Sequence, residues 1–328
     1  MVQHISPAQL AKPTNPPRAG LPASLYGRLF IALTAVLLVA PLALYPMFLM
    51  TLLCFALFAC AFNLLLGYGG LLSFGHAVYF GMAAYVTGHA AKVWGLGPEL
   101  SVLLGALTGA GLGLAFGALA IRRQGIYFSM ITLALAQMAF FFCLQATFTH
   151  GEDGIQAIPR GHLFGLIDLS DDRVLYYVVL AVFLAGLLGI FRIIHSPFGQ
   201  VLKAIRENEP RAISLGYNAQ RYKLAVFVLS STIAGVAGGM KALVFQLATL
   251  TDVHWTMSGE VVLMTLVGGM GTVFGPIVGA AVIVTMQNYL AHLGAWVTVV
   301  QGAIFVACVL LFREGIVGVI ARHLRWRL

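Results

Sequence analysis

The chain has 328 residues, 60% of them hydrophobic and 9% charged, with a formal net charge of +8. A soluble domain carries about a quarter charged residues, so a water-soluble globule of this size is excluded. The composition implies an all-α polytopic membrane protein with roughly eight to ten transmembrane helices.

Residues 1–28 read as a polar, Pro-rich tail, and no apolar run precedes Leu29. A short cleavable signal is therefore not expected, and the first apolar run reads as a retained span. Apolar runs then appear at about 29–45, 46–66, 73–91, 99–121, 125–148 and 174–194. These make a first transmembrane half over 29–194, with an external loop at 149–173. A polar island follows at 195–223. A second half over 224–312 holds runs at 224–248, 259–271, 276–290 and 295–312, and a basic tail closes the sequence at 313–328.

With the N-terminus inside and the runs alternating, 15 of the 19 basic residues fall on the inner side. They include Arg28, Arg122, Arg123, Arg192, the island cluster and the C-terminal arginines. Lys92, Arg160 and Arg173 fall outside, and Lys241 lies within a span. This bias predicts cytoplasmic N- and C-termini. It also accounts for the basic surplus without nucleic acid, and membrane lipid is the expected neighbour of the basic tail.

Two segments are interrupted, 67–86 and 268–284. Each has a glycine cluster, then Phe-Gly (Phe74-Gly75 and Phe274-Gly275), then small residues. Corresponding interruptions early and late in the chain point to an inverted internal repeat with broken, Gly-rich helices. In the run 99–121, Gly105, Gly109, Gly113 and Gly117 share one helical face, where a neighbouring helix can approach closely.

The island carries seven charged residues: Lys203, Arg206, Glu207, Glu209, Arg211, Arg221 and Lys223. Such a stretch belongs in water. Ser196 before Pro197 is a helix start, and Val201, Leu202 and Ile205 make an apolar stripe at helical spacing. Asn208 or Glu209 before Pro210 starts a second short helix, which Gly216 can end. Two short helices at a membrane surface suit docking to a water-soluble partner.

No nucleotide-binding glycine loop, zinc motif or nucleophile elbow occurs. The histidines are scattered, and all four cysteines fall inside apolar runs. No catalytic residue, metal site or cofactor is expected. Polar residues within spans are few. Asn63, Ser73, His76, Gln137 and Glu260 are the candidates for a translocation path, while Glu260 and Lys241 can also snorkel outward.

Residues 63–85, 125–137, 151–155, 196–218 and 268–281 together resemble the permeases of branched-chain amino acid ABC importers, over about residues 30–315. The resemblance implies a type II ABC importer-like fold in a bacterial inner membrane. It implies a second homologous permease subunit, two cytoplasmic ATPase subunits and a periplasmic solute-binding protein. ATP hydrolysis would then belong to the partners. It makes the island the coupling loop, with Arg206, Glu207, Asn208, Glu209, Arg211, Leu215 and Gly216 at the ATPase. Lys241 departs from the family pattern, where an apolar or aromatic residue is usual. Similar permeases carry urea or short amides, so the solute stays open at this point. An ion-coupled secondary carrier and a channel are the alternatives outside the family.

Overall fold

The computed structural model describes residues 23–290, 296, 299, 300, 302, 303, 306 and 315–323. The expectations for residues 1–22, most of the run 295–312 and the end of the basic tail lie outside the described residues.

The chain folds as helices in the order α1 Ala23–Val39, α2 Pro46–Asn63, α3 His76–Lys92, α4 Pro98–Ala120, α5 Ile126–Gln145, α6 Asp172–His195, α7 Pro197–Glu207, α8 Glu209–Ser214, α9 Ala219–Phe245, α10 Trp255–Gly268, α11 Gly275–Leu290 and α12 Gly315–His323. The only strands among the described residues are two-residue pieces: β1 Ile155–Gln156, β2 His162–Leu163, β3 Ile167–Asp168 and β4 Leu247–Ala248. Antiparallel pairing joins β1 to β4 and β2 to β3. The protein is thus all-α, as its composition requires. A π-helical turn, Leu64–Tyr68, prolongs α2.

Among the described residues, five helices are long and apolar enough to cross a membrane: α2 with its π turn, α4, α5, α6 and α9. Tyr26–Leu42 and α11 are shorter and apolar. The hydrocarbon core is about 30 Å thick. At 1.5 Å per residue, α10 and α11 reach only about 21 and 24 Å, so neither spans it alone. α2 is the most buried of the long helices, and α4 and α5 lie at the periphery.

The bundle has two ends. One carries α7 and α8 and is called the island end here. The other, the loop end, carries residues 146–171 together with β4. α2 runs to the island end, breaks at 69–75 and returns as α3, whose Lys92 Nζ bonds to Gln156 O at the loop end. α10 likewise runs away from the loop end, breaks at 269–274 and returns as α11. Gln287 on α11 bonds back to Glu260 on α10 at 3.1 Å. Both interruptions are real breaks, and the two glycine turns meet at the island end, where Asn63 bonds to 271–272.

The glycine face of α4 packs on α9. A methyl group at Gly235 would lie 2.9 Å from the Gly105 carbonyl oxygen, and one at Gly117 would lie 2.9 Å from the Phe227 ring. Only residues without a Cβ allow the two backbones to approach this closely. α9 begins earlier than its apolar run, because Asn218 Oδ1 accepts from Arg221 N and caps it. Arg221 and Lys223 therefore belong to the first turns of α9 and not to a free loop.

Candidate functional site

Backbone that leaves a helix inside a membrane must find its hydrogen bonds in the protein. The break at 69–75 finds them in side-chain hydroxyls. Thr132 Oγ1 on α5 accepts from Phe74 N at 3.2 Å, and Ser129 Oγ donates to Leu72 O at 2.7 Å. Ser258 Oγ on α10 accepts from Ala77 N at 2.9 Å. Ser73 is fully buried and its Oγ accepts from Gly75 N. The break at 269–274 is held by Thr272, which donates to Gly269 O at 2.8 Å and accepts from Gly275 N at 3.0 Å.

Asn63 joins the two breaks. Its Nδ2 donates to Thr272 O at 2.8 Å, and its Oδ1 accepts from Gly271 N at 2.9 Å. The side chain is 2% exposed, and an amide supplies the donor and acceptor that this pair of backbone groups needs. Gly67 must stay small beneath it, since an added methyl would lie 2.7 Å from Gly271 N.

The island reaches the same place. The Arg206 guanidinium donates to Gly67 O, and its stem lies against Gly70, whose φ of +69° suits glycine. Lys203 Nζ sits over the Tyr68 ring, 5.4 Å from its centroid. Partial burial holds the Lys203 ammonium below its usual pKa, against an opposing effect of Glu207. One face of α7 is thus fastened to the first glycine turn and neighbours the second.

Within the island, Ser196 Oγ accepts from Gly199 N and caps α7, while Asn208 Oδ1 accepts from Arg211 N at 3.1 Å and caps α8. Gly216 closes α8 with φ +90°. The apolar stripe of α7 is spent internally. Leu202 is buried in the main core, and Ile205 packs with Ala212 and Ala219 beside Val201 and Tyr222. Glu209 is paired with Lys223 at 2.7 Å. Arg206 is exposed yet reaches the first glycine turn, and Glu207, Arg211 and Arg221 are exposed and without an ion pair among the described residues. Beside them Ile213 and Leu215 are 54% and 70% exposed. A groove of about 470 Å3, lined by Gln124, Glu209, Ile213, Gly216, Tyr217 and Gln220 among others, opens along this face.

The other polar candidates are dispersed. His76 is fully buried at the start of α3, with Nε2 3.0 Å from Ser230 Oγ and its ring against Phe58, Phe62 and Tyr79. Gln137 is half-buried on α5. Glu260 bonds to Gln287 within the second hairpin. Lys241 does not snorkel. It is 8% exposed and pairs at 2.6 Å with Asp252, which is 2% exposed. Asp252 also completes a capping box with Thr249, so the turn after β4 folds inward and supplies the lysine's counter-charge.

Sequence reading missed Ser129, Thr132, Ser230, Ser258 and Thr272. Their signal was present: hydroxyl residues in apolar helices, with a glycine break needing donors and acceptors.

This architecture defines a multi-pass α-helical membrane protein whose two interrupted helices are clamped together. The profile of the family described as "Branched-chain amino acid transport system / permease component" matches residues 44–309, and the chain belongs to that family. It is 27% identical over 77% of its length to the high-affinity branched-chain amino acid transport system permease protein LivM of Salmonella typhimurium. It spans 65% of that relative's length. It is also 29% identical to the ribose import permease protein RbsC of Bacillus subtilis, over 76% of each chain. Against the probable branched-chain amino acid transport permease protein LivH of Methanocaldococcus jannaschii it is 22% identical, over 75% of this chain and 83% of the relative. No solved structure matches the chain.

Proposed function

We propose that this chain is the permease subunit of an ATP-driven importer and that it moves branched-chain or related hydrophobic amino acids inward by alternating access. Family membership supports the permease role. The likeness to LivM supports the solute class, against the sugar named for RbsC. The proposed assembly has a second homologous permease, two cytoplasmic ATPase subunits and a periplasmic binding protein. The basic bias puts the island and both termini in the cytoplasm of a bacterial inner-membrane protein.

The observation that carries the ATP-driven reading is Arg206 on Gly67. Glu207 at the end of α7, Arg211 and Ile213 on α8 and Leu215 just after it are offered to a partner, and α7 ties that surface to the glycine turns. Movement of the partner then shifts the turns through one arginine and one asparagine. Such movement would rock the two hairpins about their joint and open the path alternately to each side.

Uptake and ATP hydrolysis in a reconstituted complex test this reading. Glu207→Lys is expected to lower both hydrolysis-coupled uptake and ATPase docking, with binding-protein capture of solute intact. Uptake by the chain alone, driven by an ion gradient, would establish a secondary carrier instead. Mass spectrometry of the solute on the co-purified binding protein decides between amino acids, sugars and short amides.

A further inference from the structure

A groove of about 700 Å3 lies between α1 and α6 at the island end, with Phe274 of the second break also in its lining. Its walls are apolar, with Phe30 and Ile31 on α1 and Leu188 and Phe191 on α6. Its mouth carries Tyr26, Arg192 and His195, and no acidic residue lines it among the described residues. Arg192 and His195 are both exposed. The imidazole is held in place: Nδ1 bonds to Phe191 O at 2.8 Å, and the ring centroid lies 4.1 Å from that of Phe191 and 5.6 Å from that of Tyr26. The ring makes no other hydrogen bond among the described residues. Ser196, the N-cap of α7, also lines the mouth, so the positive end of an 11-residue helix adds to the arginine there. Gly27 leaves the groove open, since a methyl group at that position would meet nothing within 4 Å.

The combination is an apolar channel along two membrane helices with a cationic rim at the level where the chain turns into water. A water-soluble anion would use the rim and gain nothing from the walls. A neutral lipid would use the walls and gain nothing from the rim. We propose that the groove binds an anionic phospholipid, its phosphate at Arg192 and His195 and an acyl chain along Phe30, Ile31 and Leu188. The site is independent of the energy source proposed above.

Native mass spectrometry of the full-length chain in detergent tests it, with phosphatidylglycerol and phosphatidylethanolamine of the same acyl chains as probes. Phosphatidylglycerol should be retained in preference. Arg192→Gln should weaken phosphatidylglycerol by about fivefold, the effect of one basic residue near a membrane surface, and weaken phosphatidylethanolamine less, because its ammonium already balances the phosphate charge. Gly27→Leu, which fills the channel without touching the rim, should weaken both lipids. Wild-type phosphatidylglycerol binding by Arg192→Gln would overturn the proposal. So would glycerol phosphate displacing the lipid at equal concentration, because the walls would then contribute nothing.

Discussion

Each end of the molecule holds an ion pair, the part-buried Lys223–Glu209 at the island end and the buried Lys241–Asp252 at the loop end, but the remaining charges are treated differently. At the loop end, Lys241 and Asp252 are buried together, and Arg160 pairs with Asp172 at 2.7 Å while donating to Val244 O. At the island end, Arg206 spends its charge on a backbone carbonyl, and Glu207 and Arg211 stay in water. A buried pair costs desolvation and, once formed, fixes one geometry. Exposed, unpaired charges fix nothing until a partner arrives. The loop end is thus built as a fixed anchor, and the island end as a surface with a mechanical link behind it.

The contrast breaks most visibly at Lys241. Lys241→Met leaves Asp252 buried and uncompensated and is expected to destabilise the protein by about 3–5 kcal/mol. Lys241→Met with Asp252→Leu should recover much of that loss, though not the capping box that Asp252 makes with Thr249. Thermal unfolding of the detergent-purified chain, followed by size-exclusion fluorescence, measures both. A single variant as stable as wild type would remove the anchor from the account.

The joint between the turns comes next. Asn63→Leu leaves Gly271 N and Thr272 O without their partner, at about 1–3 kcal/mol for each group. The same thermal assay should show the loss. Cysteine cross-linking between the two turns should also weaken, whereas Lys241→Met should leave cross-linking unchanged.

The smallest expected effect is electrostatic and local to the loop end. The Ser170 hydroxyl, then its backbone N–H, hold the Asp168 carboxyl below the usual carboxylate range, with a lesser contribution from His162. A depressed folded-state value means that this contribution is present above the ordinary aspartate pKa and is lost as pH falls through the folded one. Ser170→Ala should therefore raise the Asp168 pKa, as read by carboxyl NMR on selectively labelled protein. The island variants should leave it unchanged.

Much of this was legible in the sequence. Composition dictated an all-α membrane protein, Ser196-Pro197 and Asn208 announced two capped helices, and the paired glycine clusters announced two breaks. The glycine face of α4 announced close packing, and α9 supplies it. The relation between the breaks was not legible, because it depends on which helices meet. Nothing in residues 63–76 says that Asn63 will bond to Thr272. The apolar stripe of α7 could have packed on a partner or on the membrane domain; Leu202 packs into the main core and Ala212 and Ala219 cover Ile205, since a short helix can fold back on its own island. Lys241 was misread for the same reason: its counter-charge comes from a loop whose inward fold has no periodic signal.

The most direct test of the account is Arg206→Gln in the reconstituted complex, with ATP hydrolysis and solute uptake measured together. Arg206 bonds to Gly67 in the first turn, so docking and hydrolysis should persist if that bond is its main role. The lost bond to Gly67 is charge-assisted and contributes about 1.5–3 kcal/mol, so uptake per ATP should fall by roughly tenfold or more. Unchanged uptake at unchanged hydrolysis would contradict the claim that α7 carries the partner's motion to the glycine turns.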